Sequence, residues 1–386
     1  MLPKSTRSQS IQPFHVMRLM AQAEQLVQQG HDIVHMEVGE PDFATPQPII
    51  DAAQHAIAEH KMHYTSANGL LALRQSIAEH YQLTQQVSID PQRIVITPGS
   101  SGALLLALAC IINPGQQVLM ADPGYPCNRH FTQFLNGEAK SIAVDATTHY
   151  QLTADSIEQH WTDNTVAVLL ASPSNPTGTL IEPNELNAIV DVVKQKNGVI
   201  IMDEIYHGLV YGVKAQSVLQ YTENAFVVNS FSKYYGMTGW RLGWLVMPDE
   251  YVQAVENMAQ NIFLAAPTPS QYAALAAFNN ETKQILEQRR ETFQQRRDYL
   301  LHALKALGFK IQAEPQGAFY IYANCSELTG DSEQLCQQLL TQANVAVTPG
   351  LDFGTHGEKQ HVRSAYTTSL EHLELGVERI ARFLNI

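Results

Sequence analysis

The chain of 386 residues has only four cysteines, Cys110, Cys127, Cys325 and Cys336, and they are scattered. Without a close pair there is no spacing for a zinc site, so no metal is expected, and such sparse usage suits a reducing cytoplasm. Long apolar runs are also missing. The longest, Ala103 to Ile112 in GALLLALACIINPG, falls far short of the roughly 18 residues a membrane span requires. The N-terminal stretch MLPKSTRSQSIQPFHVM has no apolar core of a secretory leader. Basic charge is scarce: 24 Lys and Arg face 37 Asp and Glu, a net charge of -13, and no basic block appears. Nucleic acid is therefore not expected as a partner, because phosphate binding needs a basic patch. The cluster EQRRETFQQRRDY (287–299) reads as the solvated face of a helix. With no repeat and no low-complexity tract, function must be sought in local constellations.

What remains is an ordinary globular composition, 45% hydrophobic and 16% charged, in a chain long enough for one large domain and a smaller one. Short β-branched runs, RIVITPG (93–99), QVLMADPGYP (117–126), TVAVLLASPSNPTG (165–178), GVIIMDEIY (198–206) and AFVVNSFSK (225–233), each end in turn chemistry. Helical patterns such as EPNELNAIVDVVKQKN (182–197) lie between them. Strands alternating with helices imply an α/β domain with a mainly parallel sheet sandwiched by helices. The C-terminal third, a long helical stretch and then a few short strands, reads as a separate α+β lobe. The expected division is a large domain at 45–283 and a small domain made of 284–386 with the N-terminal arm, 1–44.

Open α/β sheets bind ligands outside the carboxyl ends of their strands. Asn175, Asp203, Tyr206 and Lys233 all fall there. Singly, each has a plainer reading: Asp203 as a helix cap, Lys233 as a surface cation leaving a core strand, Asn175 as part of a turn. Together they match what pyridoxal phosphate needs. A lysine amine can hold the aldehyde as a Schiff base, a buried carboxylate can keep the pyridine nitrogen protonated, and a tyrosine hydroxyl and an amide can donate to the ring oxygen. Gly99, Ser100 and Ser101 open an apolar helix, where backbone N–H groups and hydroxyls converge on a phosphate, although a Gly/Ser entry can be a plain cap. Arg241 offers a planar fork and Ser230 and Ser232 offer hydroxyls to the same group. Tyr125 could stack on the ring or simply pack in the core.

The chain resembles the class I/II aminotransferases of the aspartate aminotransferase superfamily, the fold type I enzymes that use pyridoxal phosphate. The resemblance rests on VGEPDF (38–43), YTSANGLLALR (64–74), TPGSSGAL (97–104), DPGYP (122–126), SPSNPTG (172–178), DEIY (203–206), SFSKYYGMTGWRLGW (230–244), PQGAFY (315–320) and HVRSAY (361–366). It implies Lys233, Asp203 and Tyr206 as catalytic residues. Arg363 would clamp the substrate α-carboxylate, with Asn175 and the Gly39 backbone beside it. Tyr64 would reach a neighbouring subunit's phosphate, which implies a homodimer with shared active sites. Expected substrates are an amino acid and a 2-oxo acid in a ping-pong transamination. The segments GSSG (99–102) and NIFLAAPTPSQ (261–271) offer no cation for a second carboxylate, which points to a neutral or aromatic amino acid unless Arg18 or Arg129 serves. Lyases and synthases of the same fold share nearly all of these residues. A noncatalytic ligand-sensing relative would carry a DNA-binding helix ahead of VGEPDF, where this chain has no basic helix.

Overall fold

The computed structural model describes residues 4–11, 13 and 15–386; residues 1–3, 12 and 14 of the expected arm lie outside the described residues. The strands, in chain order, are β1 (Val34–His35), β2 (Ile94–Thr97), β3 (Gln117–Asp122), β4 (Glu138–Ala143), β5 (Thr165–Ala171), β6 (Val199–Asp203), β7 (Ala225–Ser230), β8 (Gly243–Val246), β9 (Tyr320–Asn324), β10 (Val345–Ala346), β11 (Thr348–Pro349) and β12 (His361–Ala365).

Seven of them form one sheet in the order β2-β8-β7-β6-β5-β3-β4. All of its pairings are parallel except those of β8, which runs antiparallel to both β2 and β7. The period of two sends alternate side chains to opposite faces. Leu119, Val168, Leu170, Ile200, Met202 and Val227 join one core. Val118, Met120, Ala167, Leu169, Ile201, Phe226 and Val228 join another. That double burial explains why these strands are continuously apolar. The helix Gly99–Ile111 puts Leu104, Leu106, Ala107 and Leu108 into the second core, while Leu71–Gln85 and Pro183–Gln195 serve the first.

The small lobe pairs β11-β12-β9 antiparallel and joins β1 to β10 in parallel, so the N-terminal segment is part of this lobe's pairing. A helix of 27 residues, Asn280–Ala306, runs between the lobes. Its Leu286 packs in the large core, whereas Phe293, Leu300, Leu301 and Leu304 pack in the small one. The division proposed at 283/284 thus falls inside a helix that both lobes share. The segment 315–320 closes the seam: Gln316 and Gly317 N–H both donate to Gly178 O at 2.9 Å, and Ala318 N–H to Leu209 O at 2.9 Å. No helix among the described residues is long and apolar enough to cross a membrane.

The 38–43 loop is tied to the shared helix by a fork. Arg296 Nη1 and Nη2 donate to Asp42 Oδ1 and Oδ2 at 2.8 and 2.9 Å, and the guanidinium lies 5.0 Å from the Phe43 ring centre. Asp42→Ala would leave this guanidinium, 5% exposed, without its carboxylate. The expected result is a loss of about 2 kcal/mol, visible as a lower thermal midpoint in calorimetry; an unchanged midpoint would show that solvent replaces the carboxylate at no cost.

Candidate active site

Three strand ends and one helix start meet at the carboxyl edge of the large sheet. Asp203 ends β6, Asn175 lies just past β5, Lys233 just past β7, and Ser100 and Ser101 stand in the first turn of the helix that follows β2. The small lobe faces them with Arg363 from β12 and Tyr320 from β9, and the 38–43 loop adds Gly39. With Tyr125, Tyr206, Ser232 and Arg241, these residues line a cavity of about 320 Å³.

Lys233 Nζ donates to Gly39 O at 2.7 Å. Burial, reinforced by the positive charge of Arg363, brings its amine down to about 8. Asp203 does not cap a helix; its Oδ1 accepts from Ile205 N–H at 3.1 Å within a turn, and burial pushes its carboxyl up to about 6. Tyr206 and Tyr320 hydroxyls lie 3.0 Å apart. Gly39 has no room for a side chain: a Cβ there would meet the Tyr320 hydroxyl at 1.9 Å. Arg363 Nη1 donates to Asn175 Oδ1 at 2.9 Å and Nη2 to Glu37 O at 2.6 Å, and its guanidinium lies 4.3 Å from the Tyr320 ring centre and 4.8 Å from that of Phe353. Its buried Nε has no partner.

The helix Gly99–Ile111 begins without a side-chain cap, so its first N–H groups are free for another acceptor. Gly99 takes φ +69°, and a Cβ on it would stand 2.6 Å from Arg241 Nη2. Arg241 Nη1 donates to Thr238 O at 3.0 Å and reaches toward Ser232 Oγ at 3.5 Å. An uncapped positive helix end beside a guanidinium and hydroxyls has the chemistry for a phosphate, and a buried carboxylate with a single backbone donor has the chemistry for a ring cation. The residues present therefore fit pyridoxal phosphate.

Three sequence candidates, Gly99, Ser230 and Tyr64, are not among the residues that line the cavity. Ser230 ends β7, 1% exposed, beside a groove that also holds His80 and Trp244, and its Oγ accepts from Ser232 N–H at 3.0 Å. Tyr64 is 82% exposed and does not touch this chain's cavity. Sequence reasoning left out Tyr320, although PQGAFY was a matched motif, and also Val16, Met17 and Met20, which line the cavity from the helix His15–Gln28. The signal for the latter was the apolar spacing of HVMRLMAQAEQLVQ, read only as an arm.

The family model for aminotransferase class I and II matches residues 31–380. A (5-formylfuran-3-yl)methyl phosphate transaminase of Methanocaldococcus jannaschii is 40% identical over 384 residues, 99% of either chain. A valine–pyruvate aminotransferase of Mycobacterium tuberculosis is 38% identical over 97% of either chain. The solved aspartate aminotransferase from Thermus thermophilus with maleate superposes with a TM-score of 0.94 at 32% identity, covering 99% of this chain and 100% of that one. Fold and site define a fold type I enzyme. The chain belongs to the class I and II aminotransferase family, and it is a pyridoxal-phosphate-dependent aminotransferase.

Two pH-dependent outcomes follow. In the cofactor-free protein the neutral, reactive form of the Lys233 amine grows as pH rises through about 8 rather than the ordinary 10.5. Trace acetylation read by mass spectrometry should show that midpoint. Asp203, with its folded value near 6 against an ordinary 3.8, holds a proton between those values that the unfolded chain releases. Stability of the cofactor-free protein therefore falls as pH rises through that window, by on the order of 2–3 kcal/mol. Asp203→Asn should raise its melting temperature at pH 8, with the gain vanishing near pH 4, while activity of the loaded enzyme is lost.

Proposed function

We propose that this chain moves an amino group between an L-amino acid with a neutral aliphatic or aromatic side chain and a 2-oxo acid, in a ping-pong cycle completed by glutamate or alanine. When bound, pyridoxal phosphate supplies the electron sink that lets the substrate Cα–H ionise. Lys233 takes the proton from the substrate Cα as a base and, as an acid, would deliver it to C4′ of the bound cofactor, so that the amino group stays behind. Asp203 keeps the ring nitrogen protonated, and Tyr206 and Asn175 donate to the ring oxygen. Gly99, Ser100, Ser101, Ser230, Ser232 and Arg241 hold the phosphate, and Tyr125 flanks the ring. Arg363 takes the substrate α-carboxylate, with Asn175 and the Gly39 backbone alongside; its partnerless Nε is a donor that such a carboxylate would satisfy. The exposed Tyr64 serves the phosphate of a second copy, which makes the working unit a homodimer with shared sites. The free cysteines suit a cytoplasmic enzyme.

The observation that carries the substrate reading is the apolar wall. Val16, Met17, Met20, Val38 and Leu104 face the cavity, and the cations lining it are Lys233, Arg241 and Arg363. Each of these has a task above. Arg18 pairs with Glu333 at 3.0 Å on the surface, and Arg129 Nη1 donates to Phe353 O at 2.8 Å, so neither faces the cavity. A distal carboxylate would meet methyl and thioether groups of this chain, at the cost of an unpaired buried charge. The name of the mycobacterial relative, a valine–pyruvate enzyme, agrees with a neutral donor.

The test is a screen of the yellow holoenzyme against single amino acids, read by the cofactor's absorbance and its return on adding a 2-oxo acid. Valine, leucine or phenylalanine is expected to react faster than aspartate, and the reverse order would overturn the substrate reading. Lys233→Ala should lower turnover by at least about a thousandfold, because one group serves as both nucleophile and proton carrier.

A further inference from the structure

The helix His15–Gln28, which supplies Val16, Met17 and Met20 to the cavity, is capped from the far end of the chain. Asp352, 4% exposed, accepts from His15 N–H at Oδ1, 2.8 Å, and from Val16 N–H at Oδ2, 3.3 Å. Those two donors belong to the helix's first residues, which have no intrahelical acceptor, and a carboxylate there also meets the positive end of the helix dipole. The cap is therefore a contact between lobe and helix rather than a local turn.

The residues that follow Asp352 hold two further walls. Phe353 lies with its ring 4.8 Å from the Arg363 guanidinium, while its carbonyl accepts from Gly124 N–H at 2.9 Å and Arg129 Nη1 at 2.8 Å. Thr355 N–H donates to Asp122 Oδ2 at 3.0 Å, its hydroxyl to the same oxygen at 3.1 Å, and His356 N–H to Oδ1 at 3.2 Å. Asp122 ends β3, just before Tyr125. One short run of chain thus sets the positions of the N-terminal helix, the Arg363 ion and the Tyr125 turn around a single cavity.

We propose that Asp352 is a positioning residue for substrate selectivity. By capping the helix it holds Met17 and Met20 against the cavity, where their flexible thioethers pack on the side chain of the amino acid bound at Arg363. The inference rests on the neutral-substrate reading above. Its consequence is selective: a substrate with a large side chain feels the helix, and alanine, with almost none, does not. A purely structural cap would affect both alike.

The experiment compares wild-type, Asp352→Ala and Met20→Ala holoenzymes in half-reactions with L-leucine and L-alanine, alongside trypsin cleavage after the exposed Arg18. Asp352→Ala is expected to lower kcat/KM for leucine relative to alanine by roughly tenfold, mainly through KM, and to speed cleavage, since loss of a charged cap loosens the first turns. Met20→Ala is expected to lower the same ratio with no faster cleavage, and it carries the test if Asp352→Ala does not fold. An unchanged leucine-to-alanine ratio in Met20→Ala, or an Asp352→Ala enzyme that loses both substrates equally, overturns the proposal. If the wild type reacts only with dicarboxylates, the neutral-substrate reading falls. The positioning role is then judged on KM for the reacting dicarboxylate, whose constancy in both Asp352→Ala and Met20→Ala overturns it as well.

Discussion

The arrangement depends on charge held where water is scarce. Lys233, Arg241 and Arg363 surround one cavity with the buried carboxylate of Asp203, and burial moves the lysine amine down and the carboxyl up from their ordinary values. Both shifts record the same cost, that of an ion deprived of solvent. A site with three cations against the carboxyls of Asp203 and Glu40 is completed by anions, and phosphate and carboxylate are the groups its geometry suits. Holding such ions apart from water and from one another requires a scaffold that does not relax. The doubly buried strands β5, β6 and β7 provide it, since each puts its polar terminus at the sheet edge while its length is locked between two cores.

The small lobe makes the other half of the site by contact rather than by covalent proximity. Arg363 sits on the central strand of the three-stranded sheet, pressed between the rings of Tyr320 and Phe353 and hydrogen-bonded to Asn175 of the large lobe. Tyr320 in turn reaches Tyr206, and it passes so close to Gly39 that a side chain there is impossible. Cation, aromatic face and amide thus fix one another. The Nε of Arg363 is left as the unsatisfied member of that set.

Much of this was legible from local chemistry. Asp203, Asn175, Tyr206 and Lys233 end apolar runs in turn residues, and a run that stops in a carboxylate or an amine is conspicuous because burial there is costly. The five strands read from sequence are all in the sheet. Two others were not distinguished: β4 is an edge strand with mostly unburied side chains, and β8 is four residues long after a glycine-rich turn. Neither carries a strong period, and β8 also breaks the parallel rule by running against both neighbours. Ser230 ends β7 and its Oγ accepts from Ser232 N–H, a contact inside the turn before Lys233 that no strand period describes.

What the sequence determined by itself was the chemistry: which residues are costly to bury, in what order they come, and hence the class of cofactor and enzyme. The tertiary structure decided which side chains meet. Tyr320 against Gly39, Asp352 on the first N–H groups of a helix more than 300 residues earlier, and Val16, Met17 and Met20 on the cavity wall all join segments distant along the chain. Local propensity carries no trace of such contacts. They arise because the two lobes share one helix and one seam, and packing across that seam selects partners by shape and by unsatisfied hydrogen bonds, neither of which exists until the chain has folded.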